Sequence, residues 1–374
     1  MLKYYKYQNQ SIEQIHGLIM DAFIIICAAK PQSKFSINKF SLPLQELMLE
    51  EQTKEKDLLF EPLKNIYELI KNEKNAAVKK LLLQGLKNNN KIEELCNDTK
   101  IDPVLYKELP DPLVKILKPF FNNLYEKFLN RAHVVNKYQT LKKHFDSLVI
   151  ASNIQVCPFC GINDMQSQYD DGRDAYDHYL PKGTFPFSSI NFKNLVPMCY
   201  ECNSKHKLEK SIIFEDLRGR DKKRRKIGFY PFGNINNTEI KITFSIVPGQ
   251  AIPNSLKKLV PNNLSIVISA KNKEKMESWN KVFRIDKRYK AKSCQFLISW
   301  IDTLLEDYRK TSDMLKAKYN VSISWDDFLD TELEIREEEL LKNKNLIRVA
   351  FLKMLRDKCD LLMHLKNWNN THYN

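Results

Sequence analysis

The sequence predicts a mainly α-helical protein interrupted by a small α+β insertion, on three observations. Apolar residues recur at three- and four-residue spacing through most of the first 150 residues and again from Glu274 onward. Between them, from Val156 to Cys202, that periodicity is lost in a stretch rich in Cys, Pro, Gly, Asn and aromatic residues. After it come a segment with the alternation of a half-exposed strand and a second short β candidate. The chain has 374 residues, more than the ~100 to 200 of one typical domain, so two or three units are expected. The composition, 43% hydrophobic and 28% charged with only 9 Gly, is that of a globular chain and argues against long disorder.

In the first unit, residues 1–150, Ile12, Ile15, Leu18, Ile19, Ala22 and Phe23 predict one amphipathic helix, with Ser11 as N-cap and Pro31 as stop. The apolar run from Leu18 to Ala29 is about 12 residues long and contains Asp21, whereas a membrane span needs roughly 20, so a buried helix is expected and no membrane partner. The start MLKYYKYQNQ has no apolar segment followed by small residues, which points to the cytoplasm. Similar spacing predicts helices over Asp57 to Lys71, Ala76 to Leu86 and Phe120 to Ala151, the last with Leu124, Phe128, Ala132 and Val135 on one face.

The second unit is 151–232 and the third 233–374. In the third, Glu239 to Val247 and Leu264 to Ser269 are the β candidates, followed by a helical region. There Trp279, Val282 and Phe283, then Phe296, Leu297, Trp300, Ile301 and Leu304, lie on apolar faces, and Phe328 to Leu365 reads as one long helix.

The formal charge is +14, from 60 Lys and Arg against 46 Asp and Glu, which favours a polyanionic partner such as nucleic acid. Of eight cysteines, Cys27, Cys96, Cys294 and Cys359 are scattered through helix-like segments and read as small buried hydrophobes. The other four form Cys157-x-x-Cys160 and Cys199-x-x-Cys202. Two such pairs can converge tetrahedrally on one zinc ion, with Zn–S distances of about 2.3 Å, and a four-thiolate site is structural because no position is left for water. One zinc per chain is therefore expected. The alternative, redox-active or merely buried thiols, requires two pairs by coincidence. A fastener is needed, since the loop with Asp170, Asp171, Gly172, Pro181, Gly183 and Pro186 can hardly build its own core.

Inside that loop stands YDHYLPKGTFPFSSINFKNLVPMCYECNSKHK. It resembles the HNH family of the His-Me finger superfamily in its zinc-stapled form, with Asp177-His178, Asn194-Leu195 and Cys199-x-x-Cys202-Asn203 in the family's order, an HNN variant. The resemblance implies a zinc-bound ββα-metal (HNH) module flanked by helical regions, and a metal-dependent endonuclease. It implies that His178 takes the proton of the attacking water, and that Asp177 and Asn203 ligate one divalent ion, magnesium or manganese. Asn194 would orient the loop bearing His178. Phosphodiester hydrolysis needs such groups: a base to deprotonate water near neutral pH, and a cation for the charge on attacking and leaving oxygens. His206, three residues after Asn203, is the alternative metal ligand.

Lys182, Lys193, Lys205, Lys207, Lys210, Arg218 and Arg220, then KKRRK at 222–226, form a basic cluster suited to phosphate contacts that position a DNA duplex without reading bases. A looser resemblance runs through FPFSSINFKNLVPMC, GFYPF at 228–232 and WNKVFRIDKRY at 279–289. These are similar to HNH effectors of bacterial anti-phage defence, including those encoded beside ATPases in Septu and retron operons. That resemblance implies an ATPase or other defence-system subunit as partner. Trp279, Val282 and Phe283 are expected to pack a helix onto the module. The rival reading is a non-catalytic zinc module that binds nucleic acid, or an adaptor, and it leaves Asp177-His178 unexplained.

Overall fold

The computed structural model describes residues 1–74, 76–215, 224–233, 240–249, 258–340 and 344–357. Eight helices come first: α1 (Gln14–Cys27), α2 (Leu42–Gln52), α3 (Phe60–Lys71), α4 (Ala76–Asn88), α5 (Ile92–Asn97), α6 (Asp111–Glu126), α7 (Ala132–Lys137) and α8 (Leu141–Ser152). The apolar spacing locates α1, α3 and α4, and side-chain oxygens cap α3 and α8, the latter through Thr140 Oγ1, which accepts from the Lys143 N–H at 3.0 Å. The carboxylate of Asp57 accepts from the N–H groups of Leu59, Phe60 and Glu61, so this residue caps α3 from outside. Ser11 does not cap α1. It lies in a 3-10 turn, and its hydroxyl donates to the Tyr138 carbonyl at 2.7 Å.

The stretch from Phe120 to Ala151 is not continuous. The chain leaves α6 at Lys127, makes a 3-10 turn over Phe128–Asn130, and is extended at Arg131 and Thr140 before α7 and α8. The breaks turn Phe128, Leu129 and Val134 into the core, whereas Ala132 is exposed and Val135 half-buried. The gain in burial outweighs the cost of interrupting the helix.

Two small antiparallel sheets follow. In the first, β1 (Tyr176–His178) pairs with β2 (Leu195–Pro197), and a π-helical turn, Glu201–Lys207, comes directly after. In the second, β3 (Lys241–Ile246) pairs with β4 (Leu264–Ser269), covered by α12 (Asn345–Asp357) against β3 and α10 (Ile285–Tyr319) against β4. After β4, α9 (Lys273–Phe283) precedes α10, and α11 (Trp325–Glu338) precedes α12. The single helix expected from Phe328 to Leu365 is thus two, packed on each other, with Lys344 at φ 61° before the second. Residues 358–365 of that expectation, Glu239, and Cys359 lie outside the described residues.

One continuous apolar cluster runs from Met1 to Leu355 and draws on all three sequence segments. The middle segment is sealed on both sides. Leu2 N–H donates to the Pro158 carbonyl at 2.7 Å and the Tyr5 hydroxyl to the Pro197 carbonyl at 2.8 Å. Phe187 sits edge-on against Phe23 and Phe121, each at 5.5 Å between centroids. From the C-terminal side, Trp279 Nε1 donates to the Phe159 carbonyl at 2.8 Å and the Tyr289 hydroxyl to the Cys160 carbonyl at 2.8 Å. Trp279, Val282 and Phe283 are buried. Among the described residues no helix is long and apolar enough to cross a membrane.

Candidate metal centre and adjoining hairpin

Cys157 and Cys160 lie on a tight turn. The Cys157 carbonyl accepts from the N–H groups of Cys160 and Gly161 at 3.2 and 2.8 Å, and Gly161 takes φ 61°, a conformation that a residue without Cβ adopts freely. Cys199 and Cys202 come where β2 gives way to the π-helical turn, with the Asn203 N–H donating to the Cys199 carbonyl at 3.0 Å. All four sulfurs are buried and lie within 4.8 Å of one another. Sulfurs held about 2.3 Å from a tetrahedral zinc are roughly 3.8 Å apart, and Cys160 Sγ and Cys199 Sγ stand 3.9 Å apart. The cluster is therefore able to hold a zinc ion. It is the only group of three or more His, Cys, Asp or Glu among the described residues gathered closely enough for a metal.

Two donors outside the four cysteines face the sulfurs. Asn163 Nδ2 lies 3.5 Å from Cys199 Sγ and Arg288 Nη1 lies 3.2 Å from Cys202 Sγ. A guanidinium at that distance offsets part of the negative charge of four thiolates around a dication and fixes their orientation.

The first hairpin carries the other predicted residues. Asp177 pairs with Val196 and His178 with Leu195, so both sit on the strand facing the one that leads into the cysteine pair. Asn194, fully buried, closes the loop between the strands. Its Oδ1 accepts from Leu180 N–H at 2.7 Å, and its Nδ2 donates to the carbonyls of Leu180 and Ser188 at 3.0 and 3.2 Å. It thereby holds the segment after His178 through both ends of its amide.

His178 is 9% exposed and its Nε2 lies 2.8 Å from the Ser189 carbonyl. A carbonyl only accepts, so Nε2 carries the proton and Nδ1 keeps the lone pair. Burial pushes His178 down to about 3; the Ser189 bond works against this, while the charges of Lys182 and Lys207 add to it. The ring is therefore neutral near pH 7. Tyr125, from α6, packs against it edge-on at 4.4 Å.

Asp177 is buried and its Oδ2 stands 2.9 Å from Lys207 Nζ. Burial raises its carboxyl above the usual range and Lys207 partly restores it. Lys207 itself has no solvent exposure, and its ammonium also donates to the His178 carbonyl at 2.9 Å. This corrects the expectation of a phosphate contact there: the side chain ties the helical turn to β1 from the inside. Lys205 is exposed and pairs with Glu201 at 2.6 Å. Lys182 is partly exposed, beside Glu126 and 5.4 Å above the Tyr125 ring. Lys193 lies 5.8 Å above the Tyr7 ring. Arg218 and Arg220 lie outside the described residues.

Asn203 is half-buried on the π-helical turn. His206 Nε2 stands 3.8 Å from Glu201 Oε2; burial, then Arg288, lower its proton affinity. A π-helix bonds five residues apart, as the Leu208 N–H does to the Asn203 carbonyl at 2.9 Å. Its wider turn places residues three apart farther round the axis than in an α-helix, so Asn203 and His206 share a face less closely than their spacing predicts.

Three residues near the site were not anticipated: Tyr125, Arg173 and Arg288. Arg173, half-buried, lies 4.8 Å over the Tyr176 ring and close enough to Tyr125 for its charge to act on that hydroxyl. Its position just ahead of β1 was a usable signal. Tyr125 is distant in sequence and carried none. No protein-family model, curated protein or solved structure matches the chain.

Proposed function

We propose that the chain is a metal-dependent endonuclease of the HNH type, hydrolysing phosphodiester bonds of double-stranded DNA on a zinc-stapled ββα-metal module. The observation that carries this reading is the tautomer of His178: with Nε2 committed to the Ser189 carbonyl, Nδ1 is a neutral base on a strand whose preceding residue is a buried carboxylate. A module that only binds nucleic acid needs neither the Asp177–His178 pair nor a loop fastened at both ends by Asn194.

In this reading His178 Nδ1 accepts the proton of the attacking water. The Ser189 carbonyl fixes the ring, and Asn194 keeps the loop after it in register. Asp177 and Asn203, with His206 as the alternative, would hold one magnesium or manganese ion. The oxygen donors of Asp177 and Asn203 suit hard cations whose other positions are filled by water and phosphate. When bound, the ion stabilises negative charge on the phosphate and the leaving oxygen. Arg173, over the Tyr176 ring, and Lys182, over the Tyr125 ring, supply positive charge for the phosphate backbone. The further reading, an effector of bacterial anti-phage defence working with an ATPase, rests on the sequence motifs at 185–199, 228–232 and 279–289 alone.

The test is incubation of zinc-loaded protein with supercoiled plasmid, linear duplex, single strands and RNA, with magnesium, manganese or chelator. Cleavage of duplex DNA that chelator stops is the expected result. His178→Ala should slow it by about 10²- to 10⁴-fold while zinc content, folding and DNA affinity stay near those of the parent. Asn203→Ala should also fall, and His206→Ala should retain substantial cleavage; the reverse pattern exchanges the two ligands. Full cleavage by His178→Ala would sink the mechanism. DNA binding without cleavage under any metal would favour the non-catalytic module.

A further inference from the structure

Lys207 has no part in the chemistry proposed above, yet its ammonium lies at the centre of the site. It is fully enclosed, 2.9 Å from Asp177 Oδ2 and 2.9 Å from the His178 carbonyl. Lysine is almost never enclosed without a counter-charge, so the buried pair is mutually dependent: each ion is tolerated there because of the other. The next residue shows what holds this arrangement. Leu208 is 54% exposed and sits at φ 49°, ψ −129°, a left-handed conformation that leucine rarely adopts. The chain thus turns its leucine to water and its lysine inward, the reverse of the usual order. The attraction to Asp177 is the interaction on hand that favours it.

Asp177 is also the carboxylate read as a cation ligand. A buried carboxylate engaged by an ammonium is a poorer ligand for a dication, because the two cations compete for it and their repulsion is little screened away from water. We infer that Lys207 is a positioning residue that acts as the built-in counter-ion of Asp177: it holds the carboxylate in the cation-free site and must yield it when a divalent ion binds. Divalent-cation binding is then a displacement, coupled to the strained end of the π-helical turn. The inference rests on the reading of Asp177 as a cation ligand and not on cleavage.

The experiment is a manganese(II) titration of the zinc-loaded full chain, following free ion by electron paramagnetic resonance. The proteins compared are the parent, Lys207→Met, Lys207→Gln, Asp177→Asn and the Asp177→Asn/Lys207→Gln double variant. Gln keeps a donor for the His178 carbonyl while removing the charge, so it stands in if Met disturbs the fold. An opposite charge beside a carboxylate typically changes its affinity for a proton by roughly 10- to 1000-fold. Both Lys207 variants should accordingly bind manganese at least about tenfold more tightly than the parent, and the gain should vanish in the double variant. Unchanged affinity overturns the inference, as does a gain that survives Asp177→Asn, or no uptake by any of the proteins. Failure of both Lys207 variants to fold also overturns it, by making Lys207 an obligatory fastener and not a displaceable one. If no nucleic acid is cut, the titration still decides the role of Lys207; if the titration fails, the plasmid assay still decides that of His178.

Discussion

Phe187 joins the hairpin to the N-terminal helices, and its replacement has consequences that can be worked out in sign. The ring is fully buried, lies edge-on to Phe23 and Phe121, and belongs to a residue at φ 73°. Phe187→Ala should cost about 3 to 5 kcal/mol, the usual range for deleting a buried ring that leaves a cavity. Opposite it stands Gly85 on α4, where an added Cβ would meet Phe187 Cε2 at 2.8 Å and Cδ2 at 3.1 Å, with Val104 Cβ at 3.3 Å. Gly85→Ala therefore gains about 1 kcal/mol in helix propensity and loses about 1 to 3 kcal/mol to overpacking. In the parent the net effect is about 0 to 2 kcal/mol destabilising. In the Phe187→Ala background the closest obstruction is gone and the new methyl fills part of the cavity, so the same substitution should stabilise by up to about 1 kcal/mol. The assay is urea unfolding of the four proteins, comparing midpoints at a common slope. Equal effects of Gly85→Ala in both backgrounds would refute the argument that this contact limits the packing. Ser188 and Ser189, which follow Phe187, supply the carbonyls for Asn194 and His178. The cleavage proposed above should accordingly fall further in Phe187→Ala than in Gly85→Ala.

Freshly prepared, reduced protein should contain about one zinc per chain by elemental analysis, and Cys199→Ser should lose both the zinc and the folded state, since metal binding here is folding free energy. Zinc retained in full by Cys199→Ser would show that the four sulfurs do not act as one site. Arg288→Gln should release zinc to a competing chelator roughly tenfold faster or more, the usual scale when a group supporting the metal ligands is lost; an unchanged release rate would make the 3.2 Å contact with Cys202 incidental.

What could be read in the sequence was whatever local spacing determines. The helices α1, α3 and α4 follow from apolar residues three and four apart, β3 from alternation, β4 from a short β-branched run, and the four-cysteine cluster from two C-x-x-C pairs. The breaks around α7 and between α11 and α12 were not legible, because they carry no glycine or proline and are made by tertiary demands, such as burying Phe128 and Val134 together. Lys207 was misread for a physical reason. A lysine in a lysine-rich turn is ordinarily solvated, and what draws it inward is a carboxylate and a carbonyl on a strand 29 or 30 residues away, as the separation of His178 and Lys207 shows. Tyr125 and Arg288 reach the site over still longer separations, through contacts that no local pattern records.

The hairpin at the centre of this molecule is only three residues per strand, too short to persist on its own in water. Its geometry must come from what surrounds it. The cysteine cluster ties the chain after β2 to the turn at Cys157 and Cys160, the Asn194 amide ties the connecting loop to itself, and Phe187 plugs that loop into the aromatic contacts of α1 and α6. The helical regions place groups directly against the hairpin and the cysteine cluster: Tyr125 of α6 on the His178 ring, and Arg288 of α10 on Cys202. They are walls of the site and not appendages to it. A displacement of α6 would therefore act on the His178 ring, whereas one of α10 would act on the cysteine cluster.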